Sequence, residues 1–131
     1  IERDVDEPRD QLMIYAAAGE LALLDHAPDD ARRWAKHGLG VDPYNATLAL
    51  LLNRAAEALE QPARDTDSQE ALESLRTAAE RHPDYPDVRA ALIRREFATG
   101  DREAARQRLE DWLKQQPDHP IATELYREQA A

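Results

Sequence analysis

Residues 86–119 read PDVRAALIRREFATGDREAARQRLEDWLKQQPDH, and this stretch decides the fold. Pro86 suits the first turn of a helix, where a missing N–H costs nothing. Val88, Ala91, Leu92 and Phe97 then keep to one helical stripe. Thr99-Gly100-Asp101 makes the turn, and Ala104, Ala105, Leu109, Trp112 and Leu113 give a second stripe before Pro117. Two amphipathic helices joined by a tight turn cannot bury their apolar faces alone. They need neighbours of the same kind.

Neighbours of that kind lie upstream. Pro43, Pro83 and Pro117 close three helical stretches at spacings of 40 and 34 residues, and Ala31, Ala71 and Ala105 keep the same two steps. A helix over residues 9–25 carries Leu12, Tyr15, Ala16, Gly19, Ala22 and Leu23 on one stripe; His26-Ala27-Pro28-Asp29 ends it. A second helix runs from Pro28 to about Leu39, with Gly40 placed to cap it. Residues 45–60 form a third, apolar almost all round, as a central buried helix should be. Gln61 to Gln69 reads as a polar loop holding six extra residues, after which Asp67 and Glu70 resemble a capping arrangement for the next helix. Pro120 starts a seventh, shorter helix.

Composition agrees. Of 131 residues, 24 are Ala and 16 are Leu, against 3 Val and 4 Ile, a stock that excludes a sheet protein. The length fits one domain burying roughly 65–70% of the unfolded chain's surface. No apolar run approaches the ~18 residues of a membrane span. There is no Cys, which removes disulfides and thiolate sites together. A net charge of -10 argues against nucleic acid and against an anionic membrane surface. Fifteen Arg stand against two Lys, which fits a GC-rich bacterial genome or adaptation to high salt.

The registered pattern resembles the tetratricopeptide repeat family, built of 34-residue helix-turn-helix units. Residues 86–119 keep Leu92, Gly100-Asp101, Ala105, Leu109 and Pro117; residues 12–45 keep Tyr15, Gly19, Ala31, Gly38 and Asp42-Pro43-Tyr44-Asn45. Residues 46–85 keep Leu52, Ala71, Leu75, Ala78 and Pro83. Ile93 and Trp112 depart from the small residues usual at their positions. The resemblance implies an all-α fold, a right-handed α-α superhelix of three antiparallel helix pairs. Residues 1–8 precede a single domain, 9–131, with repeats at 12–45, 46–85 and 86–119. Helix 120–131 either caps the array or begins a fourth unit. The small residues Gly19, Gly38, Ala31, Ala71 and Ala105 would let helix axes approach closely.

Chemistry is sparse. His26 and His37 are eleven residues apart, and His82 and His119 sit beside prolines in turns; no pair has metal-site spacing. The acidic pairs Asp29-Asp30, Asp65 with Asp67 and Asp84 with Asp87 read as caps and solvated turns. No cofactor, metal or catalytic set is expected. The family resemblance implies instead a concave groove lined by the first helix of each pair. Its members here would be Met13, Ala16, Ala17 and Glu20, then Leu50, Leu51, Arg54 and Glu57, then Asp87, Ala90, Arg94 and Phe97. Arg54 and Arg94 either clamp a partner's carboxylate or pair with Glu20 and Glu57. Chaperone-binding relatives hold a C-terminal carboxylate with a basic set, but the matching positions here are Ala16, Glu20, Leu51, Asp87 and Ala91, so such tails are set aside as partners. Trp34 and Trp112 fall in second helices and are expected in the core.

The expected function is a non-catalytic scaffold binding a protein or peptide in that groove, without nucleic acid and without inserting in a membrane. Its setting would be bacterial assembly or cell-envelope biogenesis, as a piece of a larger protein, with the periplasm ahead of the cytoplasm. The alternative is a polysaccharide-binding or regulatory module of an exopolysaccharide export machine.

Overall fold

The computed structural model describes residues 8–59 and 65–130. Among them are seven helices: α1 (Pro8–Leu24), α2 (Pro28–Val41), α3 (Ala46–Ala58), α4 (Asp65–Arg81), α5 (Pro86–Thr99), α6 (Arg102–Gln115) and α7 (Pro120–Ala130). No strand occurs among the described residues. Each helix packs on the next, and α1, α3, α5 and α7 also pack on one another in succession. The result is an α-α superhelix, with the odd-numbered helices along one side.

The turns between pairs are built alike because the same residues recur there. The backbone N–H groups of Asp42, His82 and Gln116 donate to Gly38 O, Ala78 O and Trp112 O. Three residues further on, Asn45, Tyr85 and His119 donate back to Asp42 O, His82 O and Gln116 O at 3.1–3.2 Å. A Pro inside each turn prevents the helix from continuing. Asn45 adds a side-chain cap, its Oδ1 accepting from Leu48 N–H at 2.9 Å. Within the third pair, Gly100 closes α5 at φ 92°, a conformation a side chain would resist.

Small residues set the spacing between pairs. A Cβ at Gly19 would lie 2.3 Å from Leu51 Cδ2, and one at Gly38 would lie 2.4 Å from Leu48 Cδ1. Leu48 and Leu51 therefore seat into notches on α2 and α1, and both are fully buried. Ala31, Ala35, Ala71, Ala78 and Ala105 have no exposed surface. Further along, Leu75, Val88 and Leu92 form one cluster, and Ile93, Leu109, Trp112 and Leu125 another.

Four local expectations need correction. Gly40 does not cap α2: the helix runs on to Val41 and ends at Asp42, whose Oδ1 accepts the Tyr44 N–H at 3.0 Å. The side-chain turn at Asp42 makes a left-handed glycine unnecessary. Residues 65–69 of the expected loop are helical, and residues 60–64 lie outside the described set. The helix begins at Asp65, two residues before Asp67, and Asp67 and Glu70 tie two repeats together: Asp67 is buried with its carboxylate 3.0 Å from Arg32 Nε, and Glu70 accepts from Arg32 Nη2 at 2.7 Å and Lys36 Nζ at 2.6 Å. Finally, Trp112 is in the core at 1% exposure, but Trp34 is 37% exposed. Trp34 lies two residues from both Arg32 and Lys36, hence on the side of α2 turned away from α4. It stacks there on Tyr15 at 5.9 Å, with the His37 ring tilted against it at 6.3 Å.

Candidate functional site

Buried polar groups tie the odd-numbered helices to one another and to their neighbours. Asn53, in the otherwise apolar α3, is buried, and its Oδ1 accepts from Arg95 Nε and Nη2 at 2.9 and 2.7 Å. Burial pushes the Arg95 guanidinium below its ordinary range, with Glu57 pulling it back. Beneath α5, Glu96 is 0% exposed. Arg108 Nε donates to its Oε1 at 2.7 Å, and Arg76 Nη2 and Nε donate to its Oε2 at 3.1 and 3.3 Å. Arg76 also donates to Asp101 Oδ2 at 2.7 Å, so one carboxylate ties α4, α5 and α6 together. This places Arg108 in a structural tie.

The groove residues expected from the sequence divide into two groups. Ala16, Leu50 and Ala90 pack into the clusters between successive pairs and do not form an open floor. Leu51 is buried, and Phe97 is half-buried on the α6–α7 cluster with Arg102 over its ring at 6.0 Å. Met13, Ala17, Arg54, Glu57, Asp87 and Arg94 are exposed, and Glu20 is half-exposed.

The two arginines already have partners. Arg54 Nη1 donates to Glu20 Oε1 at 2.7 Å, and Arg94 Nε and Nη2 donate to the two oxygens of Glu128 at 3.2 and 3.0 Å. The second pair is bidentate, and the hydrogen bond to Arg94 holds the Glu128 carboxyl below the usual range. Arg94 is raised in turn, first by that bond. For Arg54 the expected Glu20 pairing holds; for Arg94 the partner is Glu128 on α7, with Glu57 contributing only through its charge.

Two depressions open on the side formed by α3, α5 and α7. Between α3 and α5 lies a depression of about 240 Å³ lined by Asn53, Glu57, Ala91, Arg94, Arg95 and Ala98. Between α5 and α7 lies another of about 460 Å³, bounded by Asp87, Ala90, Ala91, Arg94, Ile121 and Glu124. They share Ala91 and Arg94 and so adjoin. A larger cleft of about 690 Å³ lies between α2 and α4, over Leu39, Gly40 and Leu52. Lys36 and Glu70 are closed on each other there.

No three His, Asp or Glu side chains among the described residues could hold a metal ion together. His119 serves a helix start, its Nδ1 accepting the Ile121 N–H at 3.2 Å, and its ring packs on Trp112. No described helix is long and apolar enough to cross a membrane.

Residues 64–128 match the tetratricopeptide repeat family, and the repeated turns and Gly-to-Leu notches just described extend the same construction back to α1. Over residues 64–128 the chain belongs to the tetratricopeptide repeat family. Its fold is similar to the NMR structure of the first tetratricopeptide domain of the human RPAP3 protein, at TM-score 0.71 and 21% identity over 92% of this chain and 90% of that one. No curated protein sequence matches it. As a tetratricopeptide repeat protein it is of the protein-interaction scaffold class.

Sequence reasoning missed Glu96 and the Asn53–Arg95 bond. The signals were present. Val88, Leu92 and Glu96 follow at four-residue steps on one ridge, so Glu96 continues a buried stripe. Asn53 interrupts a run of Leu and Ala in the same way.

Proposed function

We propose that this chain is a non-catalytic scaffold that holds a segment of a partner polypeptide along its concave side, chiefly where α5 meets α3 and α7. The observation that carries this reading is the pair of adjoining depressions sharing Ala91 and Arg94. Their floor of Ala91, Ala98 and Ile121 leaves room for side chains, and Glu57, Asp87 and Glu124 stand at the rim. With Arg54 and Arg94 paired to Glu20 and Glu128, the rim carboxylates of Glu57, Asp87 and Glu124 outnumber Arg95 in the lining and favour a basic segment over an acidic one. A partner's carboxylate terminus, a chaperone tail included, would meet repulsion here, as would nucleic acid.

A polysaccharide ligand finds less support. Stacking platforms need exposed rings, and the exposed rings here, Trp34, Tyr85 and Tyr126, do not line either depression. The process we assign, bacterial assembly or cell-envelope biogenesis within a larger protein, rests on the family resemblance and the Arg-rich composition.

The test is selection from a random peptide library displayed on phage, followed by fluorescence anisotropy with the enriched peptides. Enrichment of Lys and Arg is expected, with binding weakened at least about tenfold by Asp87→Lys combined with Glu124→Lys. Enrichment of acidic peptides, or binding indifferent to that double change, would contradict the groove.

A further inference from the structure

The exposed side of α1, which includes Met13 and Ala17 of the expected groove, carries a ridge that is complementary to itself. Arg9, Met13, Ala17, Leu21 and Asp25 follow at four-residue steps, and side chains so spaced form one i±4n ridge. Asp25 continues the helical path, its backbone N–H donating to Leu21 O at 2.9 Å. All five residues are exposed, Met13 at 64% and Leu21 at 61%. Read from either end the order is charge, large apolar, small, large apolar, opposite charge.

Part of the same register is covered in later repeats, although Thr47, Asp87 and Gln129 are exposed there. With Leu12, Ala46, Pro86 and Pro120 taken as equivalent starts, Ala17 corresponds to Leu51, Ala91 and Leu125, and Leu21 corresponds to Ala55 and Arg95. Leu51, Ala55 and Leu125 are buried against the preceding helices, and Arg95 reaches back to Asn53. The neighbouring Ile14 is 49% exposed, whereas its counterparts Leu48, Val88 and Ala122 are fully buried. On α1 the inter-repeat packing surface continues with nothing seated on it among the described residues.

We propose that this face is a two-fold interface on which α1 of a second copy of the chain lies antiparallel. Centring the pair on Ala17 lets the helices approach closely, sets Met13 on the partner's Leu21 and brings Arg9 beside the partner's Asp25. A parallel arrangement would oppose like charges. Head-to-tail stacking would set the apolar ridge against α7, where Glu124, Arg127, Glu128 and Gln129 surround the exposed Tyr126. A two-fold contact closes on itself, as most soluble dimers do. One helix about 25 Å long gives an interface at the small end of the specific range, so association in the micromolar range follows. The groove reading is independent of this interface.

Sedimentation equilibrium on the protein, from about 1 to about 200 µM, tests it. The mass should rise from 14.8 kDa toward twice that value. Leu21→Glu should hold it at the monomer with the helical circular dichroism unchanged. Arg9→Glu alone and Asp25→Arg alone should each weaken dimerisation about tenfold, and the two together should restore it to within about threefold. Both charge changes are on exposed residues, so this arm survives even if Leu21→Glu disturbs folding. A monomer throughout, which is the result if the ridge seats some other helix, overturns the proposal. A dimer indifferent to Leu21→Glu, or one that the paired charge exchange does not rescue, does the same.

Discussion

Removing both arginines that hold Glu96 should destabilise the protein far more than removing all three charges. Glu96 has no exposed surface, while the side chains of Arg76 and Arg108 are 33% and 41% exposed. The asymmetry sets the expectation. Arg108→Met deletes one charge-assisted bond of 2.7 Å but leaves Arg76 in place, a loss of about 1–2 kcal/mol given the exposure of Arg108. Adding Arg76→Met strands a buried carboxylate, which costs about 3–5 kcal/mol in total. For a chain of this size that corresponds to a fall in Tm of roughly 10–20 °C. Adding Glu96→Met then replaces a stranded charge by apolar volume of similar length, and most of the loss should return. Thermal unfolding followed by circular dichroism at about pH 7 reads all three steps. If the triple variant melts no higher than the double, Glu96 is not a buried charge that requires both arginines, and the tie between α4, α5 and α6 is wrongly drawn.

Three further outcomes follow from the packing and the ion pairs. Ala105→Leu adds volume where no surface is exposed and should cost about 1–3 kcal/mol in urea unfolding; an unchanged midpoint would mean α6 packs on α5 by another face. Gly19→Ala gains about 1 kcal/mol of helix propensity but must displace Leu51, and Leu51→Val in the same chain should recover stability lost by the single change. Burial raises the Glu70 carboxyl, but hydrogen bonds from Lys36 and Arg32 together with their charges outweigh it, so its folded value lies below the unfolded one. The stabilisation is therefore complete above the unfolded value of about 4.3 and fades as pH falls through the lower folded value. The Tm difference between parent and Glu70→Gln should shrink below about pH 4; a difference that grows there would reverse the sign.

Much of this architecture was legible because it is written in period and punctuation. Pro43, Pro83 and Pro117 mark the turns, and Gly19 and Gly38 mark the notches; the structure shows Leu51 and Leu48 seated in them. What escaped depends on three dimensions. Whether Asp67 caps its own helix or reaches Arg32 is decided by how α4 lies on α2, which no local pattern records. Trp34 and Trp112 are alike in sequence, yet Trp112 is buried in the core while Trp34 is exposed on the side of α2 turned away from α4. In the groove, residue types placed Arg54 and Arg94 on the concave helices, but their neutralisation joins residues 34 positions apart. That distance is one repeat, so the pairing could have been found by comparing charges at equivalent positions.

The central claim is that a polypeptide binds where α5 meets α3 and α7, and amide chemical-shift mapping tests it most directly. Titrating the ¹⁵N-labelled protein with a basic peptide from the library selection should move the resonances of Ala91, Arg94, Ala98, Ile121 and Glu124 together. Residues of α2 and α6, such as Arg33 and Glu110, should stay in place. Shifts confined to α2, α4 and α6, with Ala91 and Arg94 unmoved at saturation, would place the binding surface on the opposite side and contradict the account.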